Sequence, residues 1–428
     1  MKVAVIGAGW SGLAAAVAAA QGGARVSLFE AGRVAGGRAR GVATDDFSFC
    51  DNGQHLLIAA YGGVFELLRR IGADAAMVRE PMAWYMADGV RFQAALLPKP
   101  LNLLLGLLLA KGARLPEKWA LLRDLAVLSC WQKWGSGDKS VADFLAEQKV
   151  SQKWRDEFWQ AMVWGALNTP VETASLRVLA NVLADGGGSD FCLPVNDLDN
   201  FLVQPALRKL AECGGEFVPE TRVGRLSHSN NQIMVNHQVF DRVIIAVAPY
   251  HVAALLPEDW AADFQAAAQS WRYHAITTVY LRYEHSPQLP VLMTGLAHGT
   301  AQWLIDRSRL NGANEVAAVI SVSEQYGSLK ADEWAARVHA DVLRVSPNVG
   351  EPVAVQVITE KRATIASTPN RLIFNQDNLN ARGIFLAGDY LNERYPATLE
   401  AAVLSGFAAA EKVLQAALND KNIYKTNK

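Results

Sequence analysis

Val3-Ala4-Val5-Ile6 running into Gly7-Ala8-Gly9-Trp10-Ser11-Gly12 is the stretch that decides the fold. A short apolar run of this kind suits a buried parallel strand. Gly7 permits a tight turn into a helix, Gly9 lets the backbone approach a pyrophosphate, and Gly12 lets the helix pack close to the strand. The helix start, carrying Trp10 and Ser11, then offers free N–H groups and the positive end of its dipole to phosphate. Ala14 to Ala20 continues the helix, Gly22-Gly23 ends it, and Arg25 to Phe29 returns as a second strand. Glu30 falls where an acidic side chain grips a ribose hydroxyl. Strand, glycine triplet, helix, strand and acid in that order predict a dinucleotide-binding α/β unit.

Residues 3–24 carry no charge and follow Lys2, a pattern that a secretory signal or a membrane span would share. The placed glycines, Arg25 and Glu30 argue against both, so a cytoplasmic protein is expected. A net charge of −1 over 428 residues leaves no nucleic-acid footprint, and the length allows two or more domains. Cys50, Cys130, Cys192 and Cys213 show no metal or CxxC spacing and are expected to be reduced and mostly buried. No metal is expected. The oligomeric state is not written in the sequence.

A second signature stands near the other end, Ile384-Phe385-Leu386-Ala387-Gly388-Asp389. After Glu30 comes Ala31-Gly32-Arg33-Val34-Ala35-Gly36-Gly37-Arg38, which suits a loop passing close to the pyrophosphate with Arg38 on its oxygens. The two ends together predict FAD gripped by both, non-covalently, since no residue is marked for a flavin linkage.

Between the ends, two domains are expected to interleave. Residues 1–80, 196–255 and 361–420 form the FAD-binding domain, and 81–195 and 256–360 form a substrate-binding domain of helices plus a mixed sheet. Residues 421–428 form a flexible, polar tail. Helices are expected over Pro116–Trp131, Val141–Gln148, Lys153–Trp164, Ala174–Leu183, Pro205–Cys213 and Trp334–Leu343. Strands are expected over Phe217-Val218, Val223–Leu226, Ile233–Val235, Val243–Val247, Thr277–Arg282, Val316–Val322 and Val353–Thr359.

The fingerprint, the acid and Gly36-Gly37-Arg38 resemble the flavin amine oxidase and phytoene desaturase superfamily. Its members also end on a Gly-Asp turn and a helix near the flavin, here Gly388-Asp389 and Pro396-Ala397-Thr398-Leu399-Glu400-Ala401-Ala402. The resemblance implies a Rossmann-like fold of the glutathione-reductase and amine-oxidase type. It implies Asp389 beside the ribityl and phosphate region, the helix start at Thr398 and Leu399 facing the flavin ring, and Val223 in the cofactor set. Asp51-Asn52-Gly53-Gln54-His55-Leu56-Leu57-Ile58 with Tyr61, Trp164 to Pro170, and Leu193-Pro194 resemble the squalene-associated FAD-dependent desaturases, the hydroxysqualene dehydroxylases. That resemblance, nearly full-length, implies reductive loss of an allylic hydroxyl in bacterial squalene and hopanoid synthesis.

Such chemistry asks the chain for orientation, an apolar tunnel and one acid. Asp51, His55, Glu393 and Tyr395 are the candidates, each with a structural role as its alternative. Seven tryptophans between Trp84 and Trp164 suit either aromatic walls for a long isoprenoid or plain core packing. Residues 96–110 suit either a peripheral dip into the cytoplasmic membrane, with Lys99 and Lys111 at the headgroups, or a buried helix. No second glycine fingerprint marks NADPH, so the electron source, a nicotinamide in the same cleft or a separate partner, stays open. Two other functions remain in view: an oxidative polyene desaturase or amine oxidase, and a non-catalytic escort of prenylated partners.

Overall fold

The computed structural model describes residues 1–229 and 232–426, with side chains for 1–228 and 232–417. Lys2–Ile6 is the central strand of a five-stranded parallel sheet. Arg25–Phe29 and Glu216–Val218 extend it on one side, Arg242–Ile245 and Ile384–Leu386 on the other. Val3, Ala4, Val5, Val243, Ile244, Ile245 and Ile384 have no exposed surface, as strands covered on both faces require.

Helix Trp10–Gln21 packs against this sheet and ends at Gly22, and Gly23 takes a positive φ of 84°. The final helix, Leu399–Thr426, crosses that first helix. Gly406 makes the crossing possible: a Cβ there would lie 2.2 Å from the Ser11 carbonyl oxygen. The two ends of the chain therefore share one apolar core with helix Gly62–Ile71 and the strands between them.

The second large sheet is antiparallel, in the order Met293–Gly295, Trp303–Asp306, Glu315–Ser321, Tyr273–Arg282, Ala354–Ile365. Its far face is covered by helix Ala331–Val345 through Trp334, Val338 and Val342. Its other face meets the helical region: Leu115–Trp134, Val141–Glu147, a helical stretch from Gln152 to Leu167 with a π-turn over Arg155–Gln160, and Leu176–Gly186. Helix Glu258–Gln269 packs instead with the nucleotide sheet's core, through Phe264. The mixed α/β class is as expected.

One expected strand is missing. Val223–Leu226 pairs with nothing, because its N–H groups go elsewhere: Gly224 to the Asn236 side chain at 3.2 Å and Leu226 to the Leu255 carbonyl at 2.8 Å. The expected flexible tail, 421–428, is helical over its described part. Helix is assigned through Thr426, and residues 427–428 lie outside the described residues. Cys50 and Cys192 are buried, Cys213 is half-buried and Cys130 is exposed; all four are free thiols.

Candidate active site

A single cavity of about 1070 Å³ runs from the fingerprint glycines to the antiparallel sheet. At the first end it is shaped by backbone. Gly7 sits at φ 100°, which a side chain would strain, and a Cβ on Gly12 would lie 1.8 Å from the Gly7 oxygen. Gly36 at φ 103° bonds its N–H to the Ala8 carbonyl at 2.8 Å, laying the second glycine loop on the first. Gly9 differs from these. A Cβ there would find no protein atom nearer than 4.0 Å, so nothing in the fold demands glycine at this position. The space that it keeps clear belongs to the cavity, as a pyrophosphate passing against the backbone requires. Buried atoms without partners point the same way: Gln54 Oε1 and His55 Nδ1, both on cavity-lining residues.

The cavity wall includes Gly7, Gly9, Trp10, Ser11, Glu30, Gly36, Gly37, Arg38, Val223, Gly388, Asp389, Thr398 and Leu399. Of the expected cofactor set only Gly12 lies behind it, where it seats the helix on the turn. Glu30 lines the cavity with its carboxylate accepting from the N–H groups of Ala8 and Gly32, each at 2.9 Å. Thr398 caps the final helix, its hydroxyl accepting from Ala401 N–H at 3.0 Å, so that helix starts against the cavity.

Arg38 and Asp389, singled out separately as ligands, are joined to each other. Arg38 Nη2 donates to Asp389 Oδ1 at 2.7 Å, and Nη1 to the Ala363 carbonyl at 2.8 Å. Burial works against the Arg38 charge, but the facing Asp389 outweighs it and holds the guanidinium above its ordinary pKa. The two fingerprints are thus tied directly, 351 residues apart.

The four candidate acids part company. Asp51 is buried outside the cavity wall, accepting from Leu198 N–H at 2.8 Å, with its carbonyl bonded by Tyr280. Burial foremost, then Asp197 and Asp199, push its carboxyl up to about 8, against the Leu198 N–H and Arg307. Glu393 is exposed and likewise outside the wall. His55 and Tyr395 do line the cavity. Burial, with the Arg38 charge, brings His55 down to about 4, so its imidazole is neutral at pH 7. Burial and the nearby Glu400 raise the Tyr395 phenol, which therefore stays protonated.

Glu400 was not marked by the sequence as more than a helix residue. It is buried at the cavity wall, and its carboxylate accepts from Gly63 N–H at 2.7 Å and Val64 N–H at 2.9 Å. Burial raises its pKa, against those two donors.

Beyond this point the wall turns apolar: Trp84, Trp164, Leu193, Met293, Trp303 and Ile305 are among its residues. Of the seven tryptophans, Trp84 and Trp164 line it, Trp154 and Trp159 are core, Trp131 is half-buried against that core, and Trp119 and Trp134 are exposed. Trp303, outside that cluster in sequence, joins the wall. The Trp164–Pro170 motif ends a helix at Asn168, whose Nδ2 donates to Thr364 Oγ1 at 2.8 Å and whose Oδ1 accepts from Val322 N–H at 2.7 Å. It thereby fixes the helical wall to the sheet.

Outside, Leu96, Leu97, Leu101, Leu104, Leu105 and Leu109 are exposed, Leu109 by 70%. Helix Leu101–Leu108 rests through Leu103 and Asn102 on the Gly187-Gly188 turn next to the cavity. No helix among the described residues is long and apolar enough to cross a membrane, and none of their His, Cys, Asp and Glu clusters suits a metal.

Comparison with known proteins adds three likenesses and one family. The pattern of the flavin containing amine oxidoreductases matches residues 10–414. A hydroxysqualene dehydroxylase of Zymomonas mobilis is 29% identical, over 96% of this chain and 98% of that one. A 15-cis-phytoene desaturase of an Oncidium hybrid is 23% identical, over 97% of this chain and 78% of its own. In structure, cyclohexylamine oxidase from Brevibacterium oxydans superposes with a TM-score of 0.74 at 18% identity, covering 97% of this chain and 99% of that one.

Proposed function

The chain belongs to the flavin-containing amine oxidoreductase family and is an FAD-dependent oxidoreductase, and from that premise we propose that it removes the hydroxyl of hydroxysqualene reductively, giving squalene and water. The observation that carries this reading is the cavity itself, which joins a dinucleotide cradle to an apolar, tryptophan-lined tunnel. Full-length likeness to a hydroxysqualene dehydroxylase supports it. A place in squalene and hopanoid synthesis follows from that substrate.

Gly7, Gly9, Trp10, Ser11, Glu30, Gly36, Gly37 and Arg38 would hold FAD from one end of the chain, Gly388, Asp389, Thr398 and Leu399 from the other, and Val223 from its middle. Bound there in its reduced form, FAD supplies the hydride. The tunnel excludes water from the reacting carbon and holds the polyene by burial of apolar surface. The carbon–oxygen bond breaks, a carbon–hydrogen bond forms, and a proton must reach the departing oxygen. Among the four candidates this proton falls to Tyr395. Asp51 and Glu393 do not reach the cavity, and His55 is held neutral. A positioned acid contributes roughly 10²–10⁴-fold. The exposed leucine face over residues 96–109 supports a peripheral membrane contact beside the cavity, where an apolar substrate is stored.

A second reading, oxidative desaturation of a polyene, has the phytoene desaturase likeness in its favour. One experiment separates them. Anaerobic enzyme reduced with dithionite is mixed with hydroxysqualene and the product identified by mass spectrometry. Squalene is expected. Untouched hydroxysqualene, with dehydrogenation of a polyene when a quinone is supplied, would establish the second reading.

A further inference from the structure

Two tyrosines line the cavity, and they arrive from distant parts of the chain. Tyr61 immediately precedes helix Gly62–Ile71, and Tyr395 lies four residues before helix Leu399–Thr426. Both side chains line the cavity and are half-buried. Their backbones are satisfied. Tyr61 N–H donates to the Ile58 carbonyl at 2.9 Å, and Tyr395 N–H donates to Asn392 Oδ1 at 3.0 Å. Their phenolic hydroxyls are not: neither finds a partner among the described residues. Burial is the main cause raising both phenols, so each remains a neutral donor and acceptor.

Glu400 is what brings the two together. It belongs to the first turn of the final helix, yet both its oxygens are taken by the first N–H groups of helix Gly62–Ile71. A carboxylate there satisfies donors that a helix start otherwise leaves to water, and it pins the two helix starts to each other. Glu400 and the Tyr395 phenol both help to raise the Tyr61 phenol, so the two tyrosines and the carboxylate lie close together on the cavity wall. Glu400 has no oxygen left unbonded, which marks it as a positioning residue.

The tunnel beyond is walled by Trp84, Trp303, Met293, Ile305 and Leu193. A hydroxyl buried among such groups forfeits its hydrogen bonds. An isoprenoid alcohol therefore binds with its oxygen where donors and acceptors stand free.

We propose that Tyr61 and Tyr395 hold the hydroxyl of an isoprenoid alcohol between them at the mouth of the tunnel, with Glu400 fixing their separation, and that this pair makes the enzyme select alcohols over hydrocarbons. The proposal rests on the reductive reading of the site and adds Tyr61 and Glu400 to it. Tyr61 is the holding partner, while Tyr395 supplies the proton.

The test uses oxidised holoenzyme in detergent micelles, so that nothing turns over. Farnesol and farnesene, alike except for the hydroxyl, are titrated while the visible absorbance of the bound flavin is followed. Wild-type enzyme should prefer farnesol by about tenfold or more. Tyr61→Phe and Tyr395→Phe should each reduce that preference several-fold, and the double variant should abolish it, with farnesene affinity and flavin content unchanged. Tyr61→His, which restores a polar donor, should recover part of the preference. Glu400→Gln, which cannot accept from both N–H groups, should lower the preference while farnesene affinity holds. A wild-type enzyme indifferent to the hydroxyl, or a double Phe variant with full preference, overturns the proposal. Hydroxysqualene turnover is measured alongside in wild-type enzyme. Its absence would remove the reductive reading and leave the binding preference to be judged separately.

Discussion

The cradle end and the tunnel end of the cavity are made of different material. Gly7, Gly9, Gly12, Gly36 and Gly37 shape the first with bare backbone, where a side chain would strain, clash or fill space kept for a ligand. Trp84, Trp164, Trp303 and Met293 shape the second with side chains. Backbone-built surface tolerates one residue type per position. Side-chain-built surface tolerates any large apolar residue that fills the same volume. The first end is consequently spelled out in the sequence, and the second is spelled only as hydrophobicity.

The largest expected effect comes from two glycines three residues apart. Gly12→Ala drives a Cβ to 1.8 Å from the Gly7 oxygen, so little soluble protein should be recovered. Gly9→Ala meets no protein atom within 4 Å. It should melt within a few degrees of a flavin-free wild type, yet keep little flavin through gel filtration. If both variants fail alike, the space at Gly9 serves the fold and not a ligand.

Asp51 belongs to neither end, and pH exposes it. Its folded-state pKa of about 8 lies above the ordinary carboxylate value of 3.8, so the fold favours the protonated form. That contribution is complete below about pH 4, shrinks as pH rises, and is gone above about pH 8. At about 1.4 kcal/mol per unit, the loss is on the order of a few kcal/mol. Asp51→Asn should flatten this slope in denaturant melts between pH 5 and 9 while flavin content and turnover stay near wild type. Loss of turnover with flavin retained would bring Asp51 into the active site.

Trp303→Leu tests the tunnel. Removing much of an aromatic wall should raise KM about tenfold, with flavin content unchanged. A loss of flavin instead would show the two ends to be coupled. The smallest effect is expected outside. Leu105→Ser with Leu109→Ser alters exposed positions, so stability should move by less than about 0.5 kcal/mol. Liposome co-sedimentation should fall several-fold, and unchanged sedimentation would remove the membrane contact.

What the sequence shows and hides follows the same division. The opening strand, helix and second strand stand where the glycines put them, and the final strand and helix close the cradle from the far end. Val223–Leu226 reads as a strand because periodicity registers side chains, whereas its N–H groups are claimed by Asn236 and Leu255. Asp51 and Glu393 read as acids because residue type says nothing about which wall a carboxyl reaches. Nothing local marks Glu400, because its partners, Gly63 and Val64, lie more than 330 residues away. Arg38 and Asp389 were each legible, but no local pattern announces that they meet.

That meeting has a cost in time. The strands at residues 2–6 and 25–29 leave the ribosome early, while their sheet is finished only by residues 384–386 and covered by the helix that follows. At about 5–20 residues per second, the wait is on the order of tens of seconds. Throughout it, two strands that the finished fold buries stand with an open edge, and the cradle has one jaw. The Arg38–Asp389 pair that joins the two jaws forms only once the last strand has emerged.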